Sequence, residues 1–571
     1  MKAGLVLVSL LAASLAAQQP SVPNVPPGAT PGPKSPLPQK PPEKCMVEGR
    51  VVSAASGEPL KKAFVTLVRT ASSAGHPRPP STTTDENGHF LLNDVVPGNY
   101  SLAADRNGYV RLEYASGGVN LSYFGTGTIL SLVPGQHVKD VLFRLVPAAV
   151  ITGRVVDEDN EPLLGATVQA LRYGYVRGQR QLVPEGEEQT NDLGEYRIHS
   201  MAPGRYYVSA VYGRGNFASV TTAASSTETE GYEAVFYPGT YDLTQAAPLE
   251  VRAGDDLHRI DFTMLPMRAV RVRGRVVSTL VGVSALNAQV MLVPKISMVR
   301  AFAPSHRTSP TDKNGSFEFR GVTPGTYAVI ATLLENNKRL SAQQVVELGS
   351  GDVDAINLVI TPGNDLAGTV RVEGNAAVDG RELRVILEPT EIMAFGPQAA
   401  MVKPDMTFKL ESVAANTYRV RVAGMPEDFF VSAVRFGERE VPDSGLDLSH
   451  KRSGPLDIVI SANGARVDGT VLDGQQQAFN SARVVLVPEG SWRNDPNLFK
   501  ATSTDQYGRY SLRGIPLGEY KLFAWENVEP GAYQDPDFLR KYEDLGSSLR
   551  LSPGSSETRE LKLIPAEGET R

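Results

Sequence analysis

One unit recurs along this chain, and it restricts the fold more than any other feature. Its clearest copy is Thr311–Ala331, TDKNGSFEFRGVTPGTYAVIA. Asp312 to Gly315 is turn chemistry, because an Asp carboxylate bonds nearby backbone N–H groups and glycine accepts positive φ. Phe317 and Phe319 then alternate with Glu318 and Arg320, as in a strand with one apolar face. Pro324-Gly325 suits a type II turn, and a second strand follows with Tyr327, Val329 and Ala331 on one face. The pattern predicts a β-hairpin whose inner face is already marked. Copies lie at Thr84–Ala104, Thr190–Ala210 and Thr504–Ala524. A worn copy occupies Pro404–Val422, with Ala415-Asn416 in place of Pro-Gly and positive φ expected at Asn416 as at Gly325. The turn glycines are Gly98, Gly204, Gly325 and Gly518. A tyrosine follows the turn every time: Tyr100, Tyr206, Tyr327, Tyr418 and Tyr520. Such a placing suggests a ring in the core and a hydroxyl bonded to backbone at a corner.

Each copy has a head and a tail. The head is a short strand opening on Gly49, Gly153, Gly274, Gly368 or Gly469. A turn and a second strand follow it. The tail is a pair of strands about a polar turn, as in LSLVPGQHVKDVLFRL. Six or seven short strands per copy is a β-sandwich count. The expected fold is therefore all-β, with five tandem Ig-like or transthyretin-like β-sandwiches. The expected boundaries are 1–17 signal peptide, 18–44 proline-rich linker, and sandwiches at 45–146, 147–267, 268–362, 363–462 and 463–566, with a tail at 567–571. Heads follow tails with almost no linker, so neighbours should touch and form a semi-rigid rod whose free end is the fifth sandwich.

Lys2, the apolar run Leu5–Leu15 and the small residues at Ala16 and Ala17 read as a secretory signal. The run is short for a bilayer span, and no later segment is longer. The chain is thus expected to be exported, to the periplasm, the cell surface or the medium, with no membrane span once the signal is cleaved. Gln18–Lys44 is dense in proline and should be extended. The single cysteine, Cys45, permits no internal disulfide, so each core must hold itself. A net charge of −6 over 571 residues offers no basic face for nucleic acid.

These residues resemble the carboxypeptidase regulatory-like domain family, which has a transthyretin-like (prealbumin-like) fold. The resemblance rests on the glycine-led head, the G-x-P-L-x-x-A-x-V second strand, T-D-x-x-G-x-[FY] and P-G-x-Y. Copies at 46–146, 148–266 and 463–565 carry it best; 268–361 diverges in its second strand, and 363–461 lacks the Asp-x-x-Gly turn. The resemblance implies a non-catalytic module, related in fold to carbohydrate-binding modules. It implies no cofactor.

The residues themselves offer little for catalysis. His76, His89, His137, His199, His258, His306 and His450 are scattered singly, without zinc-ligand spacing. No nucleophile elbow or phosphate-cradling loop occurs. Asp157–Glu161 could supply oxygens to calcium but reads more simply as a turn. The expectation is no enzyme, no metal and no catalytic residue.

The remaining candidates are aromatic loops between corner and tail. The fifth copy has Trp525, Tyr533 and Tyr542 among Glu526, Asp535 and Asp537. The second has Phe217, Tyr232, Phe236, Tyr237 and Tyr241, and the first Tyr109, Tyr114, Tyr123 and Phe124. Rings beside carboxylates suit sugar stacking with hydroxyl bonding. The candidate ligand residues are Trp525, Tyr533, Tyr542, Asp535, Tyr237 and Tyr241, with Trp525 first. The alternative is that these rings cover a sandwich end or a joint. The expected function is an exported binding or structural protein, with polysaccharide as ligand. The alternative is an accessory subunit of a peptidase or cell-surface protein complex.

Overall fold

The computed structural model describes residues 43–70, 79–114, 127–176, 178–212, 230–294, 307–336, 338–374, 376–390, 397–449 and 454–566. The segments expected to be the signal peptide and the C-terminal tail, and nearly all of the expected proline-rich linker, lie outside the described residues, as do Tyr123, Phe124, Phe217, His76, His306 and His450. Strands dominate. Five hydrophobic clusters succeed one another along the sequence, at Cys45–Leu145, Ala149–Met264, Val270–Ile360, Leu366–Ile460 and Ala465–Leu561. Each is the core of a β-sandwich, called here the first to the fifth.

The first sandwich sets the plan. Its head strand, Cys45–Ser53, is central in one sheet, antiparallel to His89–Val95 and parallel to the tail strand His137–Leu145. The facing sheet pairs the second strand, Phe64–Arg69, with Gly98–Asp105. The strands on either side of Pro97-Gly98 therefore lie in opposite sheets. The repeated unit is a corner that crosses the core, not the hairpin expected from the turn residues. In the third sandwich the two strands again have different partners, Ser316–Val322 pairing with the head Val270–Ser278 and Gly325–Glu335 with Gln289–Pro294, although Lys338–Leu348 and Val353–Pro362 join the two layers into one seven-stranded sheet. The physical reason is the shared apolar face. Phe317 and Phe319 from one strand and Tyr327 and Val329 from the other are all buried in one cluster, which a crossing allows and a flat hairpin does not.

The corner geometry recurs in detail. Tyr100, Tyr206, Tyr327, Tyr418 and Tyr520 are buried, and each hydroxyl donates to the carbonyl four residues earlier, at 2.6–2.9 Å. Gly98, Gly325 and Gly518 have φ of 152°, 151° and 158°, far from the roughly +80° of a type II turn. Gly204 and Asn416 do not adopt a left-handed backbone. Positive φ at Asn416 is thus corrected: its Oδ1 instead accepts from the Thr417 N–H at 2.6 Å. The left-handed residue of each corner lies six before the tyrosine, at Asp94, Ser200, Gly321, Ser412 and Gly514. There the pairing with the head strand shifts register, so each is a bulge that turns the chain toward the other sheet.

The head glycines answer to close approach. A Cβ on Gly49, Gly153, Gly274, Gly368 or Gly469 would collide with a tail-strand carbonyl oxygen, that of Val141, Ile260, Ile356, Leu456 or Arg559 respectively. The threonine opening the T-D turn has a role that its spacing did not disclose. Thr84, Thr190 and Thr504 are buried, and each hydroxyl donates to a carbonyl at the entrance to the second strand, that of Leu60, Leu163 or Phe479, while accepting from Ala63, Ala166 or Ala482 N–H. Thr311 does the same between Ala285 and Ala288.

Candidate functional site

The aromatic loop of the fifth sandwich is a lid over its own sheet. Arg483–Pro488 is buried on both faces rather than on alternate residues. Its outer face, with Phe523 and Trp525, is covered by 526–546. Trp525 is 1 % exposed, stacked on Phe523 at 5.0 Å and met edge-on by Tyr542 at 5.8 Å. Tyr533 is buried beside Phe499. Neither ring offers a stacking face, and this overturns Trp525 and Tyr533 as sugar platforms. Tyr542 is half-buried in the same cluster. Asp535 caps the short helix Pro536–Arg540, accepting from the Asp537 N–H at 2.8 Å.

In the second sandwich Tyr237 packs on Phe262, ring centroids 6.4 Å apart. Tyr241 is exposed, and no ring contact joins it to Tyr237 among the described residues. The Asp157 carboxylate accepts from the Asp159 and Glu161 N–H groups, which is the turn role. Among the described residues no group of three His, Cys, Asp or Glu side chains is placed to hold a metal ion. Cys45 is buried, with its Sγ 3.0 Å from the Val133 carbonyl.

The fifth sandwich is not a free end. Tyr175, from the long hairpin Thr167–Gln189 of the second sandwich, meets Phe538 at 6.2 Å and joins the outer cluster. Gln506 bonds twice to Ser131 of the first sandwich, at 3.1 and 3.0 Å, and the hydroxyls of Thr128 and Ser481 are in contact. The expected rod with the fifth sandwich as its free end is corrected by these contacts. Burying the outer sheet face needs partners, and the second sandwich supplies one.

A cleft of about 920 Å³ lies between the fourth and fifth sandwiches. From the fourth it is lined by Val420, Val422, Phe430, Val431 and Val434, with Arg419 and Arg421. From the fifth it is lined by Trp492, Asn497, Leu498, Lys500 and Leu517. Trp492 is half-buried, 6.5 Å from Tyr520 and packed over Gly518. A charged cluster braces the turn that carries it. Arg493 donates to Glu543 at 2.8 and 3.2 Å and to Glu489 at 3.2 Å, and Lys521 donates to Glu543 at 2.7 Å. Those donors hold the Glu543 carboxyl down at about 2. Burial pushes the Lys500 ammonium below its ordinary value, and it donates to the Arg513 carbonyl at 2.9 Å. The Arg419 Nε is buried without a hydrogen-bond partner. The lining is thus divided between apolar side chains and charged or amide ones, which suits a ligand that carries both apolar and polar groups. The cleft was not legible in the sequence because its walls come from different sandwiches, as Arg419 and Lys500 do.

Residues 46–133 match the carboxypeptidase regulatory-like domain model. That span runs from the head strand through Ile129–Leu132 of the first sandwich and stops short of its tail strand His137–Leu145. No curated protein sequence matches the chain. Among solved structures, a streptococcal ancillary pilin is 10 % identical over 56 % of this chain and all of its own, with a TM-score of 0.17. The major pilin subunit of Bacillus cereus is 11 % identical over 56 % of this chain and 100 % of its own, TM-score 0.14. A putative carbohydrate binding protein from Pseudomonas aeruginosa is 17 % identical over 16 % of this chain and 87 % of its own, TM-score 0.13. The chain spans about half (51 %) of the length of the Bacillus anthracis TIE protein, which it matches at 13 % identity over 56 % of itself, TM-score 0.15. At such TM-scores these likenesses bear on neither ligand nor activity. No helix among the described residues is long and apolar enough to cross a membrane.

Proposed function

We propose that this is an exported, non-catalytic binding protein, and that its ligand enters the cleft between the fourth and fifth sandwiches. The observation that carries the reading is the cleft itself: apolar valines and an indole on its walls, with Lys500 and the unpartnered Arg419 Nε beside them. The match of residues 46–133 to a regulatory-like, non-catalytic module supports the same class of function.

The polysaccharide reading now rests on Trp492, since Trp525 and Tyr533 are covered. The reading as an accessory to a protein complex is favoured by one wall of the cleft, the strand Thr417–Ala423, whose edge at Arg419–Ala423 is paired by no strand among the described residues. Tryptophan fluorescence tests the cleft directly, because the chain has 2 tryptophans and Trp525 is sealed in a core. Soluble polysaccharides, dextran and xylan first, and an end-capped peptide of alternating valine and glutamate are titrated into the full chain. A saturable change that disappears in Trp492→Phe is the expected result. No change with any of them removes the cleft as the binding site.

A further inference from the structure

Among the described residues, the fourth sandwich lacks a piece that the other four have. In every sandwich the strand after the corner pairs with the second strand on one side and needs cover on its other edge. In the first, Gly98–Ser101 pairs with Ile129–Leu132, and Ala103-Ala104 with Leu112-Glu113. In the second, Gly204–Tyr206 pairs with Leu249–Val251, and Ser209-Ala210 with Val235-Phe236. In the third, Lys338–Leu348 covers the whole edge. In the fifth, Ser547–Leu551 covers Gly518–Leu522, and Ile564 bridges Trp525. The upper part of each edge is sealed by a buried apolar side chain: Leu112, Val235, Leu340 and Ile564.

In the fourth sandwich this edge is paired, among the described residues, at Thr417 and Tyr418 alone, by Leu446-Asp447. The chain before Leu446 turns away, with the Gly445 N–H bonded to the Pro442 carbonyl. Among the described residues no strand pairs with the free edge of Arg419–Ala423. The consequence is visible in the core. Val420, Val431, Val434 and Val441 are only partly buried, and all four line the cleft. An unpaired strand edge beside an open apolar slot is a template for an added strand.

We infer that the cleft accepts an extended polypeptide segment as the missing strand along Arg419–Ala423, with apolar residues alternating with acidic ones. The inference rests on the cleft being the binding site, and it names the occupant. The alternation follows from the pleat. Residues of the incoming strand beside Val420 and Val422 descend between the sheets, where Leu112 or Leu340 would be in another copy. Their neighbours point to the outer face, beside Arg419 and Arg421. The Arg419 Nε is unpartnered, and Arg421 is paired with Glu388 at 2.5 Å, so a carboxylate opposite Arg419 gains most. Glu373, Glu440, Asp443 and Asp495 also line the cleft, but the first three are exposed and the Asp495 carboxylate is engaged by the Asn497 N–H, so the unpartnered Arg419 Nε governs the charge preference. The five-residue edge runs ~17 Å, a usual strand length.

The test is fluorescence polarisation of a labelled, end-capped peptide of alternating valine and glutamate on the full chain. Saturable binding is expected, with the Trp492 signal changing in parallel. An N-methylated version, which cannot donate along the edge, and a peptide of the same composition with its valines clustered should each bind roughly tenfold more weakly. Arg419→Glu should weaken the valine–glutamate peptide and strengthen a valine–lysine one, a swap that mere damage to the fold would not produce. Equal binding by the N-methylated or clustered peptide overturns the added strand. Trp492 responding to a polysaccharide but not to the peptide overturns it too, while leaving the cleft as the site. A dimer of the unliganded chain that excludes the peptide would mean a second copy fills the edge, which also overturns the inference.

Discussion

Replacing Gly469 by alanine should unlock the fifth sandwich. The head strand Ala465–Leu472 runs parallel to the tail strand Ser556–Lys562, in register from Arg466 to Leu472. A Cβ on Gly469 would sit 2.7 Å from the Tyr510 hydroxyl and 2.8 Å from the Arg559 carbonyl carbon, and nearer still to that carbonyl's oxygen. The carbonyl is itself held by the Tyr510 hydroxyl at 2.9 Å. Relief requires the tail strand to move away, which strains the parallel ladder and breaks that hydrogen bond. Overpacking of this kind costs about 1–3 kcal/mol and the hydrogen bond about 1 more, so a loss of about 2–4 kcal/mol is expected. Gly474→Ala is the control: nothing lies within 4 Å of its Cβ, its φ is not left-handed, and the change should be neutral or slightly stabilising. Both are made in a Trp492→Phe background, so that Trp525 alone reports unfolding of the fifth sandwich in urea. If Gly469→Ala melts within about 0.5 kcal/mol of Gly474→Ala, the close approach of head and tail does not limit the fold and the argument fails.

The corner tyrosines should divide their effect between hydroxyl and ring: Tyr327→Phe loses about 1 kcal/mol and Tyr327→Ala about 3–5, measured by urea unfolding with hydrogen exchange over 270–360 as the local reporter. Equal losses would mean that the hydrogen bond to Thr323 is the whole of the role. The Glu543 carboxyl sits at about 2, against 4.5 ordinarily, so the folded form resists its protonation. Its stabilising contribution is complete above about pH 4.5 and is lost as the pH falls toward about 2. Acid titration followed by Trp492 should show the brace loosening in that window, and Glu543→Gln should remove the transition. Gln506→Ala should speed hydrogen exchange at Ile129–Leu132 without altering exchange in the third sandwich; unchanged exchange at Ile129–Leu132 would mean the first and fifth sandwiches are not held together there.

How much of this was legible in the sequence depends on whether the physics is local. Alternation in Ser316–Val322 and the tyrosine after the turn announced a core face, because burial repeats every second residue within one strand. The Asp312 turn was legible for the same reason: its carboxylate bonds the Asn314 and Ser316 N–H groups, two and four residues away. The crossing of the core was not, because Pro-Gly suits a hairpin and a corner alike, and what separates them is a bulge six residues before the tyrosine. Asp, Ser or Gly at that place in every copy was the available signal. The burial of Trp525 also had a trace, in the unbroken apolar run Val484–Val487, which marks a strand covered on both faces. The open edge of the fourth sandwich had none. It depends on which later segment returns to pair with Arg419–Ala423, and that is decided across the whole fold.

Hydrogen exchange on that edge tests the account most directly. The full chain is exposed to deuterium, and peptides covering Arg419–Ala423 are compared with those covering Ala103-Ala104, Ser209-Ala210 and Ile330–Leu333, first alone and then with the valine–glutamate peptide. The account predicts fast exchange at the outward-facing amides of Arg419–Ala423, slow exchange at the other three edges, and selective slowing at Arg419–Ala423 when the peptide is bound. Protection at Arg419–Ala423 in the free chain equal to that of its counterparts would contradict it.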